Sequence, residues 1–127
     1  MNTAKLFISF AALYGFLAVG FGAFGAHALR NKVPENLLSA FQTGVQYQFY
    51  HALALLLLGV LLLRPSAMSE SLLLISGYLF IAGVLLFSGS LYGMALGGPA
   101  WLGPITPLGG VCFLVAWAIL LVAALKI

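Results

Sequence analysis

The chain has 127 residues, of which 64% are apolar and only 6% charged, with a formal net charge of +3. Soluble domains carry about 25% charged and about 45–50% apolar residues, and a small soluble domain has too little interior to hide so much apolar surface. The composition therefore excludes a soluble catalytic domain. Nucleic acid is excluded as a partner, because the five basic residues are scattered and form no basic stripe.

The first apolar run extends from Leu6 to Leu29, after Lys5 and before Arg30 and Lys32. The segment Ala26-His27-Ala28 resembles a signal-peptide cleavage site. However, the run is longer than the ~7–15 apolar residues of a signal peptide. We therefore expect it to be retained as a membrane span, span 1.

Three further spans follow in chain order. A helical pattern that begins after Pro34 becomes uniformly apolar from Ala52 to Leu63, and the segment Gly97-Gly98-Pro99 ends the next one. Thr106 followed by Pro107 is typical of an N-cap that opens a fourth helix. We predict an all-α integral membrane protein, a single-domain four-helix transmembrane bundle with spans at about 6–29, 41–63, 71–96 and 107–125.

Four spans place both termini on one side of the membrane. That side, face A, holds Lys5, Arg64 and Lys126, whereas the opposite side, face B, holds Arg30 and Lys32. Because basic residues are enriched on the cytoplasmic side, three against two predicts cytoplasmic termini.

Polar side chains from all four spans are expected to converge in the half of the bilayer nearer face B. Unpaired polar groups in lipid are costly, so we expect these side chains to point inward and bond one another. They either connect the helices or line a polar pocket that opens toward face B, with aromatic walls from Phe24, Phe49 and Trp101. The candidate ligand-binding residues are His27, Gln46, Tyr47, Tyr50, His51, Ser88, Tyr92 and Thr106.

The sequence predicts no catalytic residues, no metal and no cofactor. Glu35 and Glu70 lie near opposite membrane faces and make no acid–base pair. His27 and His51 are expected at different depths, which makes joint haem or metal ligation awkward. Cys112 is alone in an apolar run, so no intrachain disulfide can form.

Rows of small residues recur at four-residue spacing in span 1 (Ala18, Gly22, Ala26) and in span 3 (Gly89, Gly93, Gly97). Such rows allow helix backbones to approach closely in lipid. They fit packing within one chain and packing between copies equally well. The expected partners are therefore membrane lipids and either a second copy of the chain or another membrane protein.

Four segments together carry a family resemblance: Gly22-Ala-Phe-Gly-Ala-His-Ala-Leu29, Gln46-Tyr-Gln-Phe-Tyr-His-Ala-Leu-Ala-Leu55, Leu86-Phe-Ser-Gly-Ser-Leu-Tyr92 and Gly103-Pro-Ile-Thr-Pro-Leu-Gly-Gly110. In these segments the chain resembles the domain-of-unknown-function 423 family of small membrane proteins. The resemblance implies a four-span protein of the bacterial cytoplasmic (inner) membrane. It implies no activity.

Two functions from different classes remain open at this point. The first is a non-enzymatic binding or accessory protein whose pocket takes a lipid-like amphiphile or a partner span. The second is a small transporter or channel subunit for a neutral or weakly charged solute, which would need a continuous polar path. The apolar run from Ala52 to Leu63 argues against such a path. A membrane enzyme or redox protein is a third, less favoured interpretation.

Overall fold

The computed structural model describes residues 2–127 and contains only helices and connections over that range. Four helical spans are long and apolar enough to cross a membrane. They comprise span 1 at Thr3–Leu29, span 2 at Glu35–Leu61, span 3 at Glu70–Ala95 and span 4 at Ala100–Leu125. This confirms the all-α, four-helix membrane architecture.

Span 2 is the central helix of the bundle. It packs along span 1 on one side and along span 3 on another, while span 3 packs along span 4. Between Glu35–Leu61 and Ile105–Leu125 no Cα pair comes within 8 Å. Spans 2 and 4 therefore meet through side chains alone, and the geometry of those side chains determines the surface between them.

Two short π-helical turns interrupt the α-helices. One, Gly25–Leu29, forms the face B end of span 1, and the other, Val84–Ser88, lies within span 3. A π-turn inserts one extra residue and rotates the side chains that follow it. In span 3 it connects the α-helical part Glu70–Gly83 to Gly89–Ala95, and Ser88 at its end faces span 2.

The main hydrophobic core lies in the half of the bundle nearer face A. Its largest fully buried side chains are Phe7, Leu55, Leu58, Leu73 and Phe80, each at most 1% exposed. They come from spans 1, 2 and 3. A smaller cluster around Leu29, Phe41 and Ala95 packs near face B.

Glycines allow close contact of spans 3 and 4. A Cβ atom at Gly83 would lie 2.5 Å from the ring of Phe113, and one at Gly109 would collide with the backbone of Phe87. The two helices can approach this closely because neither glycine has a side chain, as expected for helices that associate in lipid by packing. By contrast, a Cβ atom at Gly89 would meet no atom within 4 Å.

The predicted N-cap at Thr106 is wrong. Span 4 begins with a 3₁₀ turn at Ala100–Leu102, and its α-helix starts at Ile105 directly after Pro104. The Thr106 hydroxyl instead contacts the hydroxyl of Ser90 in span 3. The Gly-Pro-rich connection supplies the turn before the helix, so Thr106 is free to bond across to its neighbour.

We expect Gly109→Ala to destabilise the bundle by about 1–3 kcal/mol, because the new methyl group overlaps backbone that cannot move without separating spans 3 and 4. Thermal unfolding in a mild detergent measures the effect. Gly89→Ala is the matched control and should leave the midpoint unchanged or slightly raised. Equal midpoints for the two variants would contradict the close packing at Gly109.

Candidate functional site

A buried glutamine joins three helices. Gln48 is 3% exposed and is the middle residue of span 2, Glu35–Leu61. Its amide nitrogen Nε2 donates to the backbone oxygen of Tyr14 in span 1 at 2.8 Å. Its oxygen Oε1 accepts from the hydroxyl of Tyr92 in span 3 at 2.6 Å. One side chain thus bonds both neighbours of span 2 near mid-membrane.

Further hydrogen bonds surround Gln48. The hydroxyl of Tyr14 donates to the backbone oxygen of Ile81 in span 3 at 3.0 Å. The hydroxyl of Ser88 donates to the backbone oxygen of Gly44 in span 2 at 2.7 Å. We call Tyr14, Gln48, Ser88 and Tyr92 the central polar network, because each joins two different spans.

A second polar contact links spans 2 and 4. The Nδ1 atom of His51 lies 2.7 Å from the backbone oxygen of Tyr47, and its Nε2 atom lies 3.1 Å from the indole nitrogen of Trp117. A carbonyl only accepts and an indole N–H only donates. Nδ1 therefore carries the proton and Nε2 accepts, so both nitrogens of the neutral ring are occupied. The ring also stacks on Phe113, with centroids 3.7 Å apart and planes 4° apart.

The buried polar atoms are fully paired. Among residues 2–127, no buried side-chain nitrogen or oxygen lacks a hydrogen-bond partner. This is what the bilayer requires, since the hydrocarbon supplies neither donors nor acceptors. The interior polar groups are thus used for contacts between helices, and ligand contacts have to come from surfaces.

A lateral groove lies where spans 2 and 4 are apart. Its volume is about 550 Å³ and its lining is almost entirely apolar. The residues along it are Tyr47, Tyr50, His51, Phe87, Pro107, Gly110, Val111, Phe113, Leu114 and Trp117. The groove opens sideways from the bundle, toward the region that lipid chains occupy.

The predicted ligand-binding residues divide into three groups in space. His51, Ser88, Tyr92 and Thr106 bond between helices. Tyr47 and Tyr50, with His51, lie along the lateral groove. His27 and Gln46 are exposed and lie outside the groove and the central polar network.

The aromatic walls also differ from those expected. Phe87, Phe113 and Trp117 form the walls of the lateral groove. Phe49 lines a groove between spans 1 and 2, Phe24 lines a hollow that Phe41 and Tyr92 also border, and Trp101 is 65% exposed. Phe49 lies at the depth of the groove residue Tyr50 but on another side of span 2, and Phe24 belongs to span 1, which does not border the groove.

A hollow of about 690 Å³ does open at face B, beneath the connection between spans 1 and 2. Its charged residues are Arg30 and Glu35, one of each sign, and its deepest polar residue along span 2 is Gln42. None of the eight predicted site residues lines it.

Sequence reasoning missed Gln48, Tyr14, Phe113 and Trp117. A sequence pattern that could have identified Gln48 is the four-residue spacing of Gly44, Gln48 and Ala52. Glycine and alanine at this spacing are typical of the packed face of a membrane helix. Gln48 lies on this face.

Gln48→Leu should lower the unfolding free energy by about 1–3 kcal/mol, because two interhelical hydrogen bonds worth about 0.6–1.7 kcal/mol each are lost. Tyr92→Phe should remove part of the same energy. A double-mutant cycle, measured by unfolding in detergent, should therefore give a total loss smaller than the sum of the two single losses. Strict additivity would show that the two side chains do not interact.

Comparison with known proteins places this fold in a family. A family model described as "Protein of unknown function (DUF423)" matches residues 21–110. The "UPF0382 membrane protein YwdK" of Bacillus subtilis (strain 168) is 46% identical over 96% of this chain and 98% of its own length. The "UPF0382 membrane protein SAB0533" of Staphylococcus aureus (strain bovine RF122 / ET3-1) is 44% identical over 96% and 97%.

A third relative comes from another species of Staphylococcus. The "UPF0382 membrane protein SSP2132" of Staphylococcus saprophyticus is 42% identical over 97% of this chain and 99% of its own length. No solved structure is significantly similar to the chain. The chain belongs to the DUF423 family and is an integral membrane protein like the membrane proteins it resembles.

Proposed function

We propose that the protein is a non-enzymatic membrane protein that binds a lipid-like amphiphile in the lateral groove between spans 2 and 4. The observation that carries this proposal is the groove itself, about 550 Å³ in volume, apolar and open toward the membrane. Ligand sites of this kind combine apolar and aromatic walls with a few polar groups that orient the ligand.

Two tyrosines provide the polar groups. The hydroxyls of Tyr14 and Tyr92 donate to partners inside the bundle, whereas Tyr47 and Tyr50 are 38% and 55% exposed. Helical side chains lean toward the N-terminal end of their helix, which in span 2 is face B. Both phenols therefore point toward the face B end of the groove, where they can bond the polar part of an amphiphile whose apolar part lies along the groove.

The wall of the groove is held in place before any ligand arrives. His51 is fixed by the Tyr47 carbonyl and the Trp117 indole and is stacked on Phe113. Tyr47 packs beside Phe87, with ring centroids 4.8 Å apart. A preorganised wall reduces the entropy lost on binding, which favours a binding role over simple filling by bulk lipid.

We further propose that the protein lies in the bacterial cytoplasmic membrane with both termini in the cytoplasm. The bacterial membrane proteins that it resembles support the location. Lys5, Arg64 and Lys126 lie on the side of the termini, against Arg30 and Lys32 on the other. The excess of basic residues supports this orientation.

Transport is the less favoured function. A transporter needs a polar path across the membrane, and the half of the bundle nearer face A is packed with Phe7, Leu55, Leu58 and Leu73, all at most 1% exposed. Binding requires no such path.

Gly110→Leu tests the groove directly. A Cβ atom at Gly110 would make only an ordinary contact, 3.9 Å from Phe87, so a larger side chain should fill the groove without disturbing the helices. Native mass spectrometry of the protein purified from a bacterial membrane in mild detergent should show a defined additional mass. In Gly110→Leu this mass should fall at least tenfold in occupancy.

Gly89→Leu is the matched control, since Gly89 is an exposed helical glycine outside the groove with open space around it. It should retain the additional mass. Wild-type protein that carries no defined mass, or equal occupancy in the two variants, would overturn the proposal.

A further inference from the structure

The outward side of span 2 is polar in the half nearer face B. Ser39, Gln42 and Gln46 are all exposed and follow one another at spacings of three and four residues. Residues two apart on a helix lie about 200° apart around its axis. Gln46 therefore projects from nearly the opposite side of the helix to Gln48, away from the bundle.

Gln46 lies within the apolar layer. A Cβ atom at Gly22 would lie 3.5 Å from the side chain of Val45, so Val45 and Gln46 are level with this part of span 1. Four more residues of span 1, none of them polar or charged, separate Gly22 from His27. The same depth follows from span 3, because Ser88 bonds to Gly44 and lies eight residues before Leu96.

The amide of Gln46 has no partner of its own. The amide of Gln48 is occupied at both ends. Within residues 2–127, the side-chain hydrogen bonds of span 2 are made by Thr43, Gln48 and His51, whereas the Gln46 side chain is exposed and makes none. A primary amide that faces hydrocarbon without a partner is unfavourable. Such groups promote association of membrane helices, because a second helix can supply the missing donors and acceptors.

We propose that a second copy of this chain covers the outward side of span 2, forming a twofold dimer in which the two Gln46 amides bond to each other. Copies inserted in the same direction are related by an axis along the membrane normal, so equivalent residues meet at equal depth. An amide carries both a donor and an acceptor. Gln46 is therefore complementary to itself, and Gln42 repeats the same chemistry one turn nearer face B.

The surface beside Gln46 has a shape that admits a helix. A groove of about 620 Å³ runs between spans 1 and 2 and is bordered by Gly15, Gly20, Phe49 and Leu53. A Cβ atom at Gly15 or Gly20 would meet nothing within 4 Å, so neither glycine is needed for packing inside the chain. Both leave room for close approach of a neighbouring helix.

This dimer surface is separate from the lateral groove between spans 2 and 4. The lateral groove uses Tyr47 and His51 on one side of span 2, whereas the dimer surface uses Gln46 and Leu53 on another. The dimer can therefore fail while amphiphile binding persists, and the reverse is also true.

Disulfide cross-linking tests the dimer. Leu53 is 47% exposed, lies two turns beyond Gln46 and borders the span 1–span 2 groove. In a Cys112→Ser background, Leu53→Cys protein is reconstituted into phosphatidylethanolamine–phosphatidylglycerol vesicles and oxidised with copper phenanthroline. We expect a covalent dimer. Leu85→Cys, 61% exposed on span 3, is the control for random collision and should give at most a tenth as much.

The amide itself is tested by adding Gln46→Leu or Gln46→Asn to Leu53→Cys. Loss of the amide should reduce cross-linking roughly tenfold, as expected for one polar contact between membrane helices, and Gln46→Asn should restore most of it. Cross-linking at Leu53 that equals the Leu85 control, or that is unchanged by Gln46→Leu, would overturn the proposal.

Discussion

The hydrogen bonds of Gln48 hold the bundle together at the depth where water is absent. One amide donates to span 1 and accepts from span 3, so three of the four spans are fixed relative to one another by a single side chain. The bilayer supplies no alternative partners for these groups. The positions of Tyr14 and Tyr92, and the burial of Ser88 against Gly44, follow from this requirement.

The position of span 4 has a different origin. It packs closely on span 3 because Gly83 and Gly109 have no side chains at the contact. Its contacts with span 2 include those of His51 with Phe113 and Trp117. Three rings act as spacers between the two helices. The lateral groove exists because these spacers keep the backbones apart, and its proposed ligand role depends on the same rings.

Much of the fold could be predicted from composition and from the Gly and Pro residues that end helices. A chain with 6% charged residues can place its apolar runs only in a membrane. The side chains were harder to place. Gln46 and Gln48 are chemically identical and two residues apart, yet one faces outward and one is buried. Polarity alone does not distinguish them. The small residues Gly44 and Ala52 identify the packed face of span 2, on which Gln48 lies. The hydrogen bond between Thr106 and Ser90 depends on a contact between spans 3 and 4, which no local sequence pattern encodes.

The most direct test of the central role of Gln48 is solid-state NMR of the protein in lipid bilayers, with glutamine labelled in the side-chain nitrogen and tyrosine in the backbone carbonyl. The structure predicts a through-space correlation between Gln48 Nε2 and the Tyr14 carbonyl carbon, and a side-chain amide that does not exchange with water over hours. A Gln48 amide that exchanges rapidly and shows no contact with Tyr14 would contradict the account.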